Sequence, residues 1–164
     1  MIISYIHKIC WFIGLVLLQV LVLNNVHIGD YATPFLYIYF ILRLESNVSR
    51  NEAMIWGFVL GLCVDIFSNT PGMNAAAAVM LAFMRPVYLR LFTPRDNQEI
   101  VPSLKNLGFS SYVKYLLVAV FTHHAVLYTL AFFSFSDIQT LLIRIVSSTV
   151  LTVACILAID GIRN

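Results

Sequence analysis

Long apolar runs, bounded by charges or short polar turns, divide this chain into segments of membrane-spanning size. Between Lys8 and Asp30 lie 21 residues without a Lys, Arg, Asp or Glu, and a helix rising about 1.5 Å per residue crosses a hydrocarbon core of about 30 Å with that many. The first helix is therefore placed at about 9-29. Its amino-terminal run lacks a small-x-small cleavage site, so it is read as retained rather than as a signal peptide. Residues 31-42 form a second run of only 12, short for a span unless neighbours thin the bilayer. Pro34 near its start suits a first helical turn, where its missing N–H costs nothing. After the polar loop RLESNVSRNE come runs at 53-67 and 75-92, joined by the turn SNTPGMN. Arg85-Pro86 marks a change to VYLRLF, which reads as an interfacial helix end. Residues 93-111 make the longest polar stretch, and the last two runs occupy 112-136 and 138-160, the latter interrupted by Arg144.

Composition turns this pattern into a class. Of 164 residues, 60% are apolar and 11% charged, less than half the share of about 25% that covers a typical soluble surface. A soluble single-domain enzyme, a disordered regulator and a secreted disulfide scaffold are excluded, and the short loops leave no room for an extramembrane catalytic domain. The expected fold is an all-α integral membrane protein, one six-helix bundle over 1-164. Cys10, Cys63 and Cys155 sit inside apolar runs without CxxC spacing and read as packing residues.

A net charge of +2 is too mild to imply nucleic-acid binding, so what matters is where the charges sit. Lys8 precedes the first helix, Arg43 and Arg50 lie between the second and third, and Arg85, Arg90, Arg95, Lys105 and Lys114 cluster between the fourth and fifth. The loops 24-30, 68-74 and 136-140 have no Lys or Arg. Because basic loops stay in the cytoplasm, both termini and the 93-111 loop are expected there.

An ionisable side chain inside the bilayer costs at least about 2.5–3.5 kcal/mol and needs a partner. Asp65 and Arg144 fall at similar depth in this layout and are candidates for an intramembrane ion pair, the alternative being that Asp65 caps the 68-74 turn and anchors helix packing. Gly57, Gly61 and Asp65 follow one another at i, i+4 and i+8, a face that admits a close neighbour. Adjacent His123 and His124 point about 100° apart on a helix and lack HxxxH or HExxH spacing, so a polar interhelical hydrogen bond is expected rather than a metal site. Gln19, Tyr128 and the hydroxyls of Ser147, Ser148, Thr149 and Thr152 are the other buried-polar candidates. No nucleophile elbow, phosphate loop or carboxylate pair is present, so neither an enzyme nor a cofactor is expected.

The stretch GFVLGLCVDIFSNTPGMNAAAAVMLAFMRP (57-86) resembles the MreD family of rod shape-determining proteins. The shared pattern is G-x-x-x-G-L-x-x-D-x-x-S-x-x-x-x-G-x-x-A, carried here by Gly57, Gly61, Leu62, Asp65, Ser68, Gly72 and Ala75, with Pro71 in the turn. The resemblance implies a non-enzymatic component of the lateral cell-wall elongation machinery (the elongasome) in the bacterial inner membrane. Such a component binds MreC and, through it, the MreB filament and the RodA–penicillin-binding protein pair, and so helps control cell shape and peptidoglycan synthesis. It also implies a fold similar to the substrate-binding subunit of energy-coupling-factor transporters, and partner binding or helix packing for Gly57, Gly61, Asp65, Ser68, Pro71, Gly72 and Ala75. The competing expectation is a small-molecule-binding membrane subunit of a transporter.

Overall fold

The computed structural model describes residues 2-26, 31-93, 100-132 and 137-163. They form α1 (Ile2–Leu21), α2 (Tyr39–Leu42), α3 (Arg50–Ser68), α4 (Met73–Phe92), α5 (Leu104–Leu107), α6 (Phe109–Ala131) and α7 (Ile138–Arg163), with 3-10 turns at Leu23–Asn25 and Leu36–Ile38. Five helical stretches, Ile6–Asn25, Arg50–Ser68, Met73–Phe92, Phe109–Ala131 and Ile138–Ile162, are long and apolar enough to cross a membrane. The chain is thus an all-helical, multi-pass membrane protein. Large apolar side chains cover its outside: Ile6, Ile9, Ile13 and Leu17 on α1, and Ile55, Phe58 and Ile66 on α3. A surface of that kind is solvated by lipid, not water.

Local signals explain the helix limits. Ser49 accepts from the Glu52 amide at 3.2 Å and starts α3, as a hydroxyl before an apolar run does. Asn69, in the left-handed region at φ 53°, ends it. Pro86 does not end α4, which runs on to Phe92; the proline costs one backbone bond, to the carbonyl four residues back. α6 begins at Phe109, immediately after Gly108 (φ 74°) separates it from α5. Residues 100-108 of the expected 93-111 loop fold back on the bundle, with Ser46 and Ile100 exchanging two hydrogen bonds and Leu107 buried. Residues 94-99, Arg95 among them, lie outside the described set.

Where a second long helix was expected, the structure has something shorter. Residues 33-35 have no regular secondary structure, Leu36–Ile38 make a 3-10 turn, and α2 adds one turn of α-helix. Pro34 lies in the irregular part, and a residue preceding proline is biased away from the helical conformation. The stretch lies alongside the later part of α7. Thr33, Phe35 and Tyr39 meet Ser148, Thr152 and Asp160 in that order, and Glu45 reaches Lys8 near the start of α1 at 3.5 Å.

Non-helical backbone at membrane depth is tolerated only where protein satisfies its polar groups, and here each bond is identifiable. The Thr33 amide donates to Ser148 Oγ and the Phe35 amide to Thr152 Oγ1, both at 3.1 Å. Gln19 of α1, fully buried, donates to the Pro34 carbonyl at 3.0 Å and accepts from the Leu36 amide at 2.8 Å. At the far end, where a helix leaves its last carbonyls bare, Tyr115 donates to the Leu42 carbonyl at 3.1 Å, and buried Arg85 donates to those of Leu44 and Glu45. Tyr37, Ile38, Tyr39, Ile41 and Leu42 are almost wholly enclosed. The stretch is the core around which α1, α3, α4, α6 and α7 pack.

Lys8, Arg43, Arg50, Arg85, Arg90, Lys105 and Lys114 all fall toward one end of the bundle, where α1, α3 and α6 begin and α4 and α7 finish. This is the basic end. Among the described residues, Arg144 alone of the Lys and Arg side chains is placed toward the opposite end.

Candidate functional site

The residues carrying the sequence pattern meet at that opposite end, in the hairpin of α3 and α4. A Cβ on Gly61 would lie 2.5 Å from the Ala75 Cα and the Asn74 carbonyl oxygen, and one on Gly57 2.9 Å from the Ala78 carbonyl oxygen. The two helices thus approach backbone to backbone, which only glycine permits. This face packs inside the bundle and is not presented to a partner.

One turn beyond Gly61, that approach brings Asp65 against the start of α4. The N-cap position there is Gly72, at φ 77°, which has no side chain with which to cap. Asp65 does it from the neighbouring helix: Oδ1 accepts from the Asn74 amide at 3.0 Å and Oδ2 from the Ala75 amide at 2.8 Å. Those are two of the amides a helix start leaves unpaired, and the negative charge also complements the helix dipole. The Thr70 hydroxyl and the Asn74 amide group add bonds at 2.6 and 3.0 Å. Pro71 and Ser68 sit in the same turn, with Ser68 accepting from Asn24 of the 3-10 turn after α1 at 2.7 Å.

The candidate ion pair is not formed. Asp65 is saturated by these donors, and the ion pairs among the described residues are Lys8–Glu45 and Arg43–Asp160. The Arg144 guanidinium lies over two aromatic rings instead, 5.2 Å from the Phe132 centroid and 5.9 Å from that of Tyr31. Its Nε is buried and has no hydrogen-bond partner.

From Asp65 a line of hydrogen bonds enters the core. Asn74 Oδ1 accepts from the Tyr37 hydroxyl at 3.2 Å, and that hydroxyl meets His123 Nε2 at 2.7 Å. With Tyr37 donating to Asn74, the His123 ring donates from Nε2 and leaves Nδ1 a bare acceptor. Both histidines are fully buried. His123 supplies the bond between helices, whereas His124 bonds to the Val120 carbonyl of its own helix at 2.8 Å, and both rings pack on Phe35. No trio of His, Cys, Asp or Glu placed to hold a metal occurs among the described residues.

A cavity of about 450 Å³ opens at this end. Thr70 and Asn74, the partners of Asp65, line it together with Asn24, Thr33, Tyr128 and Arg144, over an apolar wall that includes Phe35 and Leu127. Tyr128 is tied to Ser148 at 2.8 Å.

Gln19, a buried-polar candidate of the sequence, is joined in the core by two polar residues that the sequence pattern did not single out, Arg85 and Asp160. Asp160, 2% exposed, accepts from the Tyr39 hydroxyl at 2.7 Å and from the Leu104 amide at 2.9 Å. Gln19 and Asp160 carried one local signal, a lone polar residue inside an apolar run. Arg85 is indistinguishable in sequence from the basic residues around it.

No family model matches this chain, and neither a curated protein nor a solved structure matches it.

Proposed function

We propose that this chain is a non-enzymatic scaffold of the bacterial cell-wall elongation complex, of the MreD kind. It sits in the cytoplasmic membrane with the basic end and both termini in the cytoplasm. Its partner is MreC, and through MreC it acts on MreB and the RodA–penicillin-binding protein pair. The proposal includes a fold similar to the substrate-binding subunit of energy-coupling-factor transporters.

The observation carrying this reading is that Gly57, Gly61, Asp65, Gly72 and Ala75, positions of the pattern on which the resemblance rests, fold as one interlocked unit. Gly57 and Gly61 leave no room for a side chain, Gly72 takes a left-handed conformation and Asp65 serves the α4 amides, so these positions of the pattern have structural demands of their own. The gathering of Lys and Arg at one end supports the orientation. With the glycine face spent inside the bundle, MreC must meet the lipid-facing surfaces or the basic end.

Capture of MreC with the tagged full chain from mild-detergent extracts of its native membranes tests the reading, with depletion of the chain expected to round the cells. Absence of MreC from the captured material, with cell shape unchanged on depletion, overturns it. A transporter subunit for a small molecule is the second reading, and the cavity beside Arg144 is what favours it. A released small molecule in place of MreC would select that reading.

A further inference from the structure

The geometry points to a binding site for an oxyanion, carboxylate or phosphate, carried on an apolar body and seated in the cavity with Arg144 as its counter-charge. The inference stands apart from MreC binding and holds under either reading above.

Charge is the first ground. Arg144 lies in the second turn of α7, within a membrane-spanning stretch, where an unpaired cation is costly. Among the described residues no carboxylate pairs with it. Asp65, the acid whose partners share the cavity wall, spends both oxygens on the start of α4. The guanidinium lies over the Tyr31 and Phe132 rings, a cation–π contact that attracts the charge without neutralising it.

Hydrogen bonding is the second. The neutral side chains of the wall are already paired with one another or with the core: Asn24 with Gln19 and Ser68, Asn74 with Asp65, Thr70 and Tyr37, and Tyr128 with Ser148. Arg144, by contrast, donates no side-chain hydrogen bond among the described residues, so its guanidinium is the donor left unmet on the lining. A guanidinium fork matches the two oxygens of a carboxylate or phosphate. A neutral ligand would answer neither the charge nor the donor.

Size and lining are the third. About 450 Å³ lies within the range of about 300–1,000 Å³ typical of small-molecule sites. Phe35, Met73 and Leu127 supply the apolar wall, hence the apolar body. Lipid-borne phosphate and a free anion share this chemistry, so the probes must separate them.

The test uses the full chain in an uncharged maltoside detergent, with affinity read from thermal protection. Dodecyl phosphate is expected to protect and dodecanol not to. Arg144→Gln is expected to weaken dodecyl phosphate by about 10- to 100-fold, the cost of one or two charge-assisted hydrogen bonds. Arg50→Gln, at the basic end, serves as the unaffected control. Protection by inorganic phosphate as well as by dodecyl phosphate assigns a free anion, and protection by inorganic phosphate without dodecyl phosphate overturns the apolar body. Protection only by dodecyl phosphate and by phosphatidylglycerol nanodiscs, relative to phosphatidylcholine ones, assigns a lipid headgroup. Should Arg144→Gln fail to fold, Asn25→Asp places a carboxylate on the cavity lining and is expected to weaken binding in the same direction. Equal protection by dodecanol, no protection by any anion, or unchanged affinity in the folded variant overturns the inference.

Discussion

Tyr39 and Asp160, 121 positions apart in the chain, are joined by a hydrogen bond of 2.7 Å in which the phenol donates to the carboxylate. Arg43 donates to the Tyr39 oxygen at 2.9 Å and lies 3.5 Å from the same carboxylate oxygen. Asp160 Oδ2 in turn receives the amide that opens α5. One buried acid thus ties together α2, α5 and α7 at the basic end. Asp160→Ala should cost about 2–3 kcal/mol and Tyr39→Phe about 1.5–3 kcal/mol, since both remove hydrogen bonds to a charged group. Thermal unfolding in detergent measures both, and Asp160→Ala unfolding like wild type would contradict this account.

Gly61→Ala should be the most damaging of the helix glycine changes, because its Cβ would meet α4 backbone at 2.5 Å and backbone cannot step aside. Overpacking of this kind costs about 1–3 kcal/mol or more. Gly57→Ala, at 2.9 Å, should cost less, and Gly14→Ala, with nothing within 4 Å, should be neutral or slightly stabilising. Melting temperatures of the three variants should rank in that order.

Asp65 and Arg144 should behave independently. Asp65→Asn replaces an acceptor by a group that cannot receive all the donors now aimed at it, so it should destabilise by about 2–3 kcal/mol. In a double-mutant cycle with Arg144→Gln the coupling should stay below about 0.5 kcal/mol. A larger coupling would restore the ion pair.

Gln19→Leu should be costly despite preserving volume and adding hydrophobicity. It strands the Leu36 amide and the Pro34 carbonyl in the core, at about 1–3 kcal/mol for each buried group left unmet. Steric-trap unfolding in bicelles would measure the loss, and a stabilising outcome would sink the assignment.

Asp137 caps the first turn of α7, accepting from the Thr140 amide at 3.1 Å and from its hydroxyl. These bonds hold its carboxyl below the ordinary value of 3.8. A depressed folded pKa means that the cap contributes fully above the ordinary value and is lost as pH falls through the lowered one. A nuclear magnetic resonance titration should find Asp137 below 3.8, and Thr140→Ala should return it toward that value.

Much of the hairpin was readable in advance. Two apolar runs flank a turn rich in Ser, Asn, Pro and Gly, and the i, i+4, i+8 spacing of Gly57, Gly61 and Asp65 placed them on one face. The spacing could not show that α4 occupies that face, nor decide for Asp65 between a cap on the turn and a pair with Arg144. The stretch 31-42 was harder for a different reason. Judging a span by length assumes about 1.5 Å per residue, and that assumption fails where the backbone leaves the helix. The partners that satisfy this irregular backbone, Ser148 and Thr152, stand 115 and 117 positions from the amides they receive. No local pattern carries pairings at that range. Arg85 was hidden by company, since its neighbours are basic residues of the same end.

Those separations also govern the order of assembly. As the chain is made from its amino terminus, residues 33-35 emerge long before α7 exists, and their amides cannot enter hydrocarbon unbonded. Gln19 is available from the outset, so the stretch can be held at one of its contacts, but its seat is completed only when the last helix arrives. Five helices can be threaded into a membrane one by one, whereas the seating of residues 33-42 among them is a tertiary event. The packing of the bundle's core is therefore settled during folding and not during insertion.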